Sequence, residues 1–163
     1  LSGAATLSSC TVTLAYAREA IDHPLQGTGF VVAEAHQVHG FRASTFITSK
    51  FAGRAPEGHV SLRLFFRPAA ADLVSMSDGA WIERAEACLA RVLPVRGRAE
   101  AAWVSRWADA LPVLDAAHVA NVKAIEASLA GTGVLLAGSA FHGSGIDAAV
   151  RSAEAAAAAL RSP

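Results

Sequence analysis

Residues 134–146 read Val134-Leu135-Leu136-Ala137-Gly138-Ser139-Ala140-Phe141-His142-Gly143-Ser144-Gly145-Ile146, and an alanine-rich run continues to Leu160. The compact apolar run predicts a strand, the glycine-rich segment a tight turn, and the alanine run a terminal helix over 146–160, because alanine has the highest intrinsic helix propensity. A helix that opens straight out of a glycine loop leaves its first backbone N–H groups unpaired, with the positive end of the macrodipole behind them. Such a place attracts electron-rich groups. The loop lacks both G-x-G-x-x-G and the Gly-Lys-Ser/Thr of a P-loop, so the nucleotide-phosphate fingerprints are absent. An electron-rich carbonyl edge or an anionic ring suits the same geometry.

Working back from this element, Asp115 is placed to cap a helix with Val119, Val122, Ile125 and Leu129 along one stripe, stopped by Gly131 and Gly133. Ser77 is placed to cap an earlier helix, in which Trp81, Ala85, Cys88, Leu89 and Val92 recur at three- and four-residue spacing up to Pro94. The first half of the chain reads as strands. Residues 11–17 alternate Val12, Leu14 and Tyr16 with small residues, and 30–35, 41–49 and 60–66 are further β-rich runs separated by Gly- and Pro-containing turns. Their short connections predict an antiparallel meander, and residues 100–107 return to a strand pattern broken at Leu111-Pro112. The expected class is mixed α/β (α+β): a largely antiparallel sheet with covering helices, followed by the C-terminal strand, loop and helix.

The chain has 163 residues, fourteen Lys plus Arg against fourteen Asp plus Glu, 53% hydrophobic and 17% charged residues. That composition is globular, and the zero net charge, with no clustered basic face, excludes a nucleic-acid binder. The mean hydropathy of +0.35 reflects alanine, and no run approaches the roughly 20 apolar residues a spanning helix needs. Residues 1–5 show no basic region followed by an apolar one, which predicts a cytoplasmic location. Cys10 and Cys88 lie far apart without metal-site spacing, so they read as reduced, buried thiols and no metal site is expected.

Four stretches, in order and spacing, carry a resemblance. They are residues 27–32 (GTGFVV), Ser49-Lys50-Phe51 with 53–58 (GRAPEG), Arg106-Trp107 with Ala110-Leu111-Pro112 and His118, and residues 133–138 (GVLLAG) with Phe141 and Gly143-Ser144-Gly145-Ile146. Together they resemble the C-terminal part of the protoporphyrinogen/coproporphyrinogen oxidase family, FAD enzymes of haem biosynthesis related to the flavin amine oxidases. The resemblance implies oxidation of a porphyrinogen to a porphyrin by two-electron transfers to FAD, which dioxygen reoxidises with release of hydrogen peroxide. It implies flavin contacts at Trp107, Ser144, Gly145 and Ile146, and tetrapyrrole contacts at Val31, Thr45 and Phe66. It also divides the chain into a substrate-domain portion, 1–106, and a portion returning to the FAD domain, 107–163. The β-α-β unit that holds the ADP moiety in such enzymes would then come from a missing N-terminal region, leaving the isolated 163 residues inactive.

No catalytic nucleophile with base and orienter stands out, which suits chemistry carried by a cofactor. Lys50 and Arg54 have the charge to pair with propionate carboxylates. His118, at the start of a helix, reads as a histidine that caps, packs or is solvated, and His142 as an exposed loop histidine within reach of substrate or flavin. The competing reading is a non-catalytic tetrapyrrole-binding or protein-interaction module derived from the same family, whose apolar surface would be covered by homodimerisation. Peripheral membrane contact stays open, as does the choice between the two porphyrinogens.

Overall fold

A computed structural model describes residues 5–161; the first residues of the stretch read above for a leader signal, 1–4, lie outside them. Five strands form one sheet: β1 (Thr6–Ala17), β2 (Gly29–Val31), β3 (Phe41–Phe46), β4 (His59–Phe66) and β5 (Ala101–Pro112), in the order β2-β3-β4-β1-β5. β2, β3 and β4 make the expected antiparallel meander, but β1 lies on the far side of β4, paired antiparallel from Cys10↔Phe66 to Ala17↔His59. That register aligns the two most strongly alternating strands, so Cys10, Val12, Leu14 and Tyr16 share one buried face with Val60, Leu62, Leu64 and Phe66.

Helices α1 (Ile47–Lys50), α2 (Ala70–Ser75) and α3 (Asp78–Ala90) complete this part of the chain. α3 covers the buried sheet face through Trp81, Ala85, Cys88 and Leu89, and the Ser77 hydroxyl caps it by accepting the Ala80 N–H at 3.2 Å. Phe66 packs against Trp81 at 5.5 Å and Phe41 at 5.3 Å between ring centroids. Each such side chain contributes roughly 1.5–3 kcal/mol of burial.

Several element ends differ from the sequence expectation. β2 stops at Val31 because residues 34–36 close a 3₁₀ turn, and β3 gives way to the single turn α1, where the Phe51 N–H returns to the Ile47 carbonyl at 2.8 Å. β5 runs on past Trp107 and ends at Pro112, and the Val113 N–H beyond it donates to the Ala5 carbonyl at 2.9 Å.

The chain divides into two compact units, Ser8–Ala108 and the remaining described residues, 5–7 and 109–161. The second unit contains α4 (Ala116–Leu129), α5 (Ser139–His142) and α6 (Ile146–Arg161). Asp115 caps α4 by accepting the His118 N–H at 2.8 Å. The stripe that α4 buries runs through His118 and Val122, and Val119 lies on an exposed side. Residues 134–137 are irregular and not a strand: a strand requires a hydrogen-bonded neighbour, and among the described residues none pairs with this segment.

Candidate functional site

The sheet face opposite α3 is built from the other half of each alternation. Thr13, Arg63 and Thr45 stand in register across β1, β4 and β3, and the Arg63 Nε donates to the Thr13 hydroxyl at 3.3 Å. Around them opens a groove of about 630 Å³, bounded by Phe51, Phe65 and Trp103 and by polar Ser61 and Ser105. Lys50 and Arg54 sit over the Phe51 ring at 5.3 and 5.9 Å, so the groove carries Lys50, Arg54 and Arg63 and is lined by no carboxylate. Trp103 leaves 58% of its surface open. Aromatic faces with peripheral cations suit a flat, apolar, anionic molecule.

Of the residues the resemblance assigns to substrate, Thr45 lines this groove. Val31 does not: it stands 83% exposed on β2 at the sheet edge. Phe66 is 1% exposed and belongs to the core, because alternation along β4 turns it toward Trp81 and gives the groove to Phe65. Arg63, Phe65 and Trp103 were not singled out from sequence. The signal lay in the alternation itself, since each occupies the position between two core residues of its strand.

Trp107 is 55% exposed on β5, in the Ser8–Ala108 unit. Its neighbour Arg106 is structural: it reaches the Asp78 carboxylate at 2.6 Å and the Met76 carbonyl at 2.9 Å, tying β5 to the start of α3. The other flavin candidates, Ser144, Gly145 and Ile146, lie in the C-terminal unit, where all are exposed and Ile146 is 86% accessible. The Gly145 carbonyl accepts the Ala149 N–H at 3.1 Å and so starts α6, leaving the N–H groups of Ile146, Asp147 and Ala148 without intrahelical acceptors. Gly145 has φ +98°, a conformation side-chain-bearing residues rarely adopt. A Cβ on Gly143 would meet the Ala148 Cβ at 3.3 Å, so a small residue at 148 is what lets the turn close on the helix.

The loop is pinned from behind. Buried Ser152 accepts the Gly138 N–H at 2.8 Å and donates to the Ala149 carbonyl at 2.9 Å. Asp147 in the first turn of α6 pairs with Arg151. A carboxylate there suits the macrodipole and disfavours a phosphate at the same helix end, whereas an uncharged, electron-rich ring edge is accommodated. These exposed donors on a glycine turn therefore fit the edge of a flavin ring.

His118 is buried, with neither ring nitrogen hydrogen-bonded, and His142 pairs with Glu126 at 3.2 Å. His59 meets the Glu57 carbonyl and the Glu100 carboxylate, and both hold its pKa above the ordinary value. Burial pushes the Cys10 thiol up to about 11 and raises Cys88 as well, so neither is a reactive thiolate. Among the described residues no acidic, His or Cys cluster could hold a metal, and no helix is long and apolar enough to cross a membrane.

A five-stranded antiparallel sheet covered on one face by α3, in a chain that also carries a glycine turn opening a long helix, defines a mixed α/β protein. The chain belongs to the family of flavin containing amine oxidoreductases, whose model matches residues 2–161. It is similar to the coproporphyrinogen III oxidase of Bacillus subtilis (strain 168), 29% identical over 142 residues, covering 85% of this chain and 30% of that protein. The coproporphyrinogen III oxidase of Propionibacterium freudenreichii subsp. freudenreichii is 30% identical over 141 residues, covering 85% of this chain and 26% of that protein. Among solved structures, one provisionally named a protoporphyrinogen oxidase, from Exiguobacterium sp. 255-15, superposes with a TM-score of 0.79 at 27% identity, over 98% of this chain and 36% of that one. Reduced UDP-galactopyranose mutase shares the fold, with a TM-score of 0.67 at 16% identity, over 85% of this chain and 29% of that one. The chain thus spans about a third or less of the length of the curated relatives.

Proposed function

We propose that this chain supplies the tetrapyrrole-binding groove and the flavin-contacting turn of an enzyme that oxidises a porphyrinogen to a porphyrin. The observation that carries this reading is the groove on the open sheet face, where Phe51, Phe65 and Trp103 stand with Lys50, Arg54 and Arg63 and no acid. The matching oxidases of coproporphyrinogen support it. Phe65 and Trp103 take the flat face of the macrocycle, Thr45 approaches it from β3, and Val31 offers an apolar contact at the sheet edge. Phe66 acts by packing behind Phe65 and not by touching substrate.

The cofactor in this proposal is FAD, whose ring, when bound, supplies a two-electron acceptor that dioxygen restores with release of hydrogen peroxide. The backbone N–H groups of Ile146 and Asp147 hold the ring edge, and the Gly145 turn, free of side-chain bulk, lets it approach. Trp107 presents an exposed indole to the flavin from its own unit. In this division of labour residues 1–106 belong to the substrate domain and 107–163 return to the FAD domain. The ADP-binding unit comes from polypeptide outside this chain, because the sequence lacks G-x-G-x-x-G.

The test is a fluorescence titration of the chain with coproporphyrin III, with and without FAD, beside an aerobic assay for porphyrin formation. The expected result is porphyrin binding without turnover, and turnover once an N-terminal flavin-binding portion is supplied. A chain that binds no porphyrin overturns the groove assignment. A chain that turns yellow with FAD and oxidises porphyrinogen unaided overturns the division of labour. Porphyrin binding that persists while no N-terminal portion restores turnover favours the non-catalytic module.

A further inference from the structure

We infer that His142 is a positioning residue: its pairing with Glu126 of α4 holds the glycine turn of residues 143–145 where the amides that follow can meet the flavin edge. This rests on the flavin-contacting reading above and deepens it. The turn has little with which to hold itself. Gly138, Gly143 and Gly145 have φ values of +114°, +132° and +98°, and a Cβ on Gly138 or Gly145 would find no atom within 4 Å. Glycines in such places give the backbone wide conformational freedom and no side chain to brace it. Between Gly138 and Gly143, α5 is a single turn closed by the bond from the Phe141 N–H to the Gly138 carbonyl at 3.2 Å, far too short to be stable alone.

Anchors therefore decide where the segment sits. At its start the Gly138 N–H is held by the Ser152 hydroxyl, and beyond the turn the Gly145 carbonyl accepts the Ala149 N–H. Both anchors belong to α6. The attachment to α4 comes from α5, where the His142 Nε2 lies 3.2 Å from the Glu126 carboxylate. Phe141 adds an apolar contribution, but it shares a cavity of about 300 Å³ with Val119 and Val122, and a ring beside that much open space is not clamped. Glu126 and His142 also border a second cavity, of about 640 Å³. With space on two sides, breaking the pair leaves the turn free to shift. Exposures of 34% for the His142 side chain and 41% for that of Glu126 make the pair a source of direction more than of global stability.

The experiment has two arms and uses H142A, E126A, the double variant and H142K. In the chain alone, amide chemical shifts and hydrogen exchange are read by NMR. Each alanine variant is expected to move the amides of Gly143, Gly145 and Ile146 and to speed their exchange about threefold to fivefold, with the urea midpoint unchanged. E126A is expected to add nothing on top of H142A, and H142K, which returns a cation to Glu126, to recover part of the parent pattern. In the enzyme completed with an N-terminal flavin-binding portion, the same alanine variants are expected to weaken FAD binding by about the same factor and to shift the absorption bands of the bound flavin, with partial recovery in H142K. Additive effects of the two substitutions, a urea midpoint that falls with the faster exchange, or turn amides that do not move overturn the clasp. Turn amides that move while FAD affinity and absorption stay at parent values overturn its link to the flavin. A completed parent enzyme that binds no FAD overturns the flavin reading itself, a result the amide measurements on the chain alone cannot produce.

Discussion

Phe65 and Phe66 are neighbours on β4 that serve opposite sides of one sheet: Phe65 lines the cationic groove, and Phe66 is sealed between Trp81 and Phe41. One residue of chain separates a ligand-facing ring from a core ring, so their truncations have opposite consequences. Phe66→Ala is expected to cost about 3–5 kcal/mol, the range for emptying a buried aromatic site. Phe65→Ala is expected to cost under about 1.5 kcal/mol of stability while weakening porphyrin binding. Urea unfolding of both variants, with coproporphyrin titration of Phe65→Ala, checks the pair. Equal destabilisation would contradict the assigned facing.

Gly29 faces Thr45 across β2 and β3, and a Cβ at Gly29 would stand 2.0 Å from the Ser44 carbonyl oxygen, at φ +140°. Neither backbone can yield without breaking the pair. Gly29→Ala is therefore expected to detach β2 from β3 at a cost of at least about 1–3 kcal/mol. Faster hydrogen exchange should follow at the Val32 amide, which donates to Arg42, and at the Phe46 amide, which donates to Thr28. Unchanged protection at both amides would refute the prediction.

The helix caps at Ser77 and Asp115 each satisfy an otherwise orphaned N–H, those of Ala80 and His118. Replacing either with alanine should cost about 1 kcal/mol. Because the two caps lie in different compact units, Ser77→Ala is expected to loosen amides of α3, and Asp115→Ala those of α4, as read by residue-resolved exchange.

Alkaline pH should weaken the fold through Cys10 and Tyr16. Burial raises the thiol from 9.0 to about 11 and the phenol from 10.0 to about 12, and nearby Arg106 only partly offsets this for Cys10. In both cases the folded state favours the neutral form. Their contribution is complete below pH 9 and is lost as pH climbs from 9 to about 11 for Cys10 and from 10 to about 12 for Tyr16. The urea midpoint is expected to fall above pH 9, and Cys10→Ala should flatten the first part of that fall. A midpoint constant from pH 8 to 11 would show that neither group ionises differently on unfolding.

Local chemistry made much of this protein legible. The period-two pattern of Val12, Leu14 and Tyr16, the caps at Ser77 and Asp115, and the start of α6 at Ile146 follow from propensity, alternation and capping, which act over a few residues. The same patterns gave the class, a largely antiparallel sheet with covering helices, and the four spaced stretches pointed to the flavoenzyme family. Which strand lies beside which was decided only by tertiary structure: β1 sits next to β4 because the two match over a long register, a contact between residues about fifty apart. That pairing made Arg63 and Thr13 neighbours and placed Trp103 and Phe65 on one groove. It also assigned Phe66 to the core, and the lack of a neighbouring strand left residues 134–137 irregular. Alternation says that two faces exist, but the side that meets α3 is fixed by long-range packing, because only there can the larger apolar set leave water.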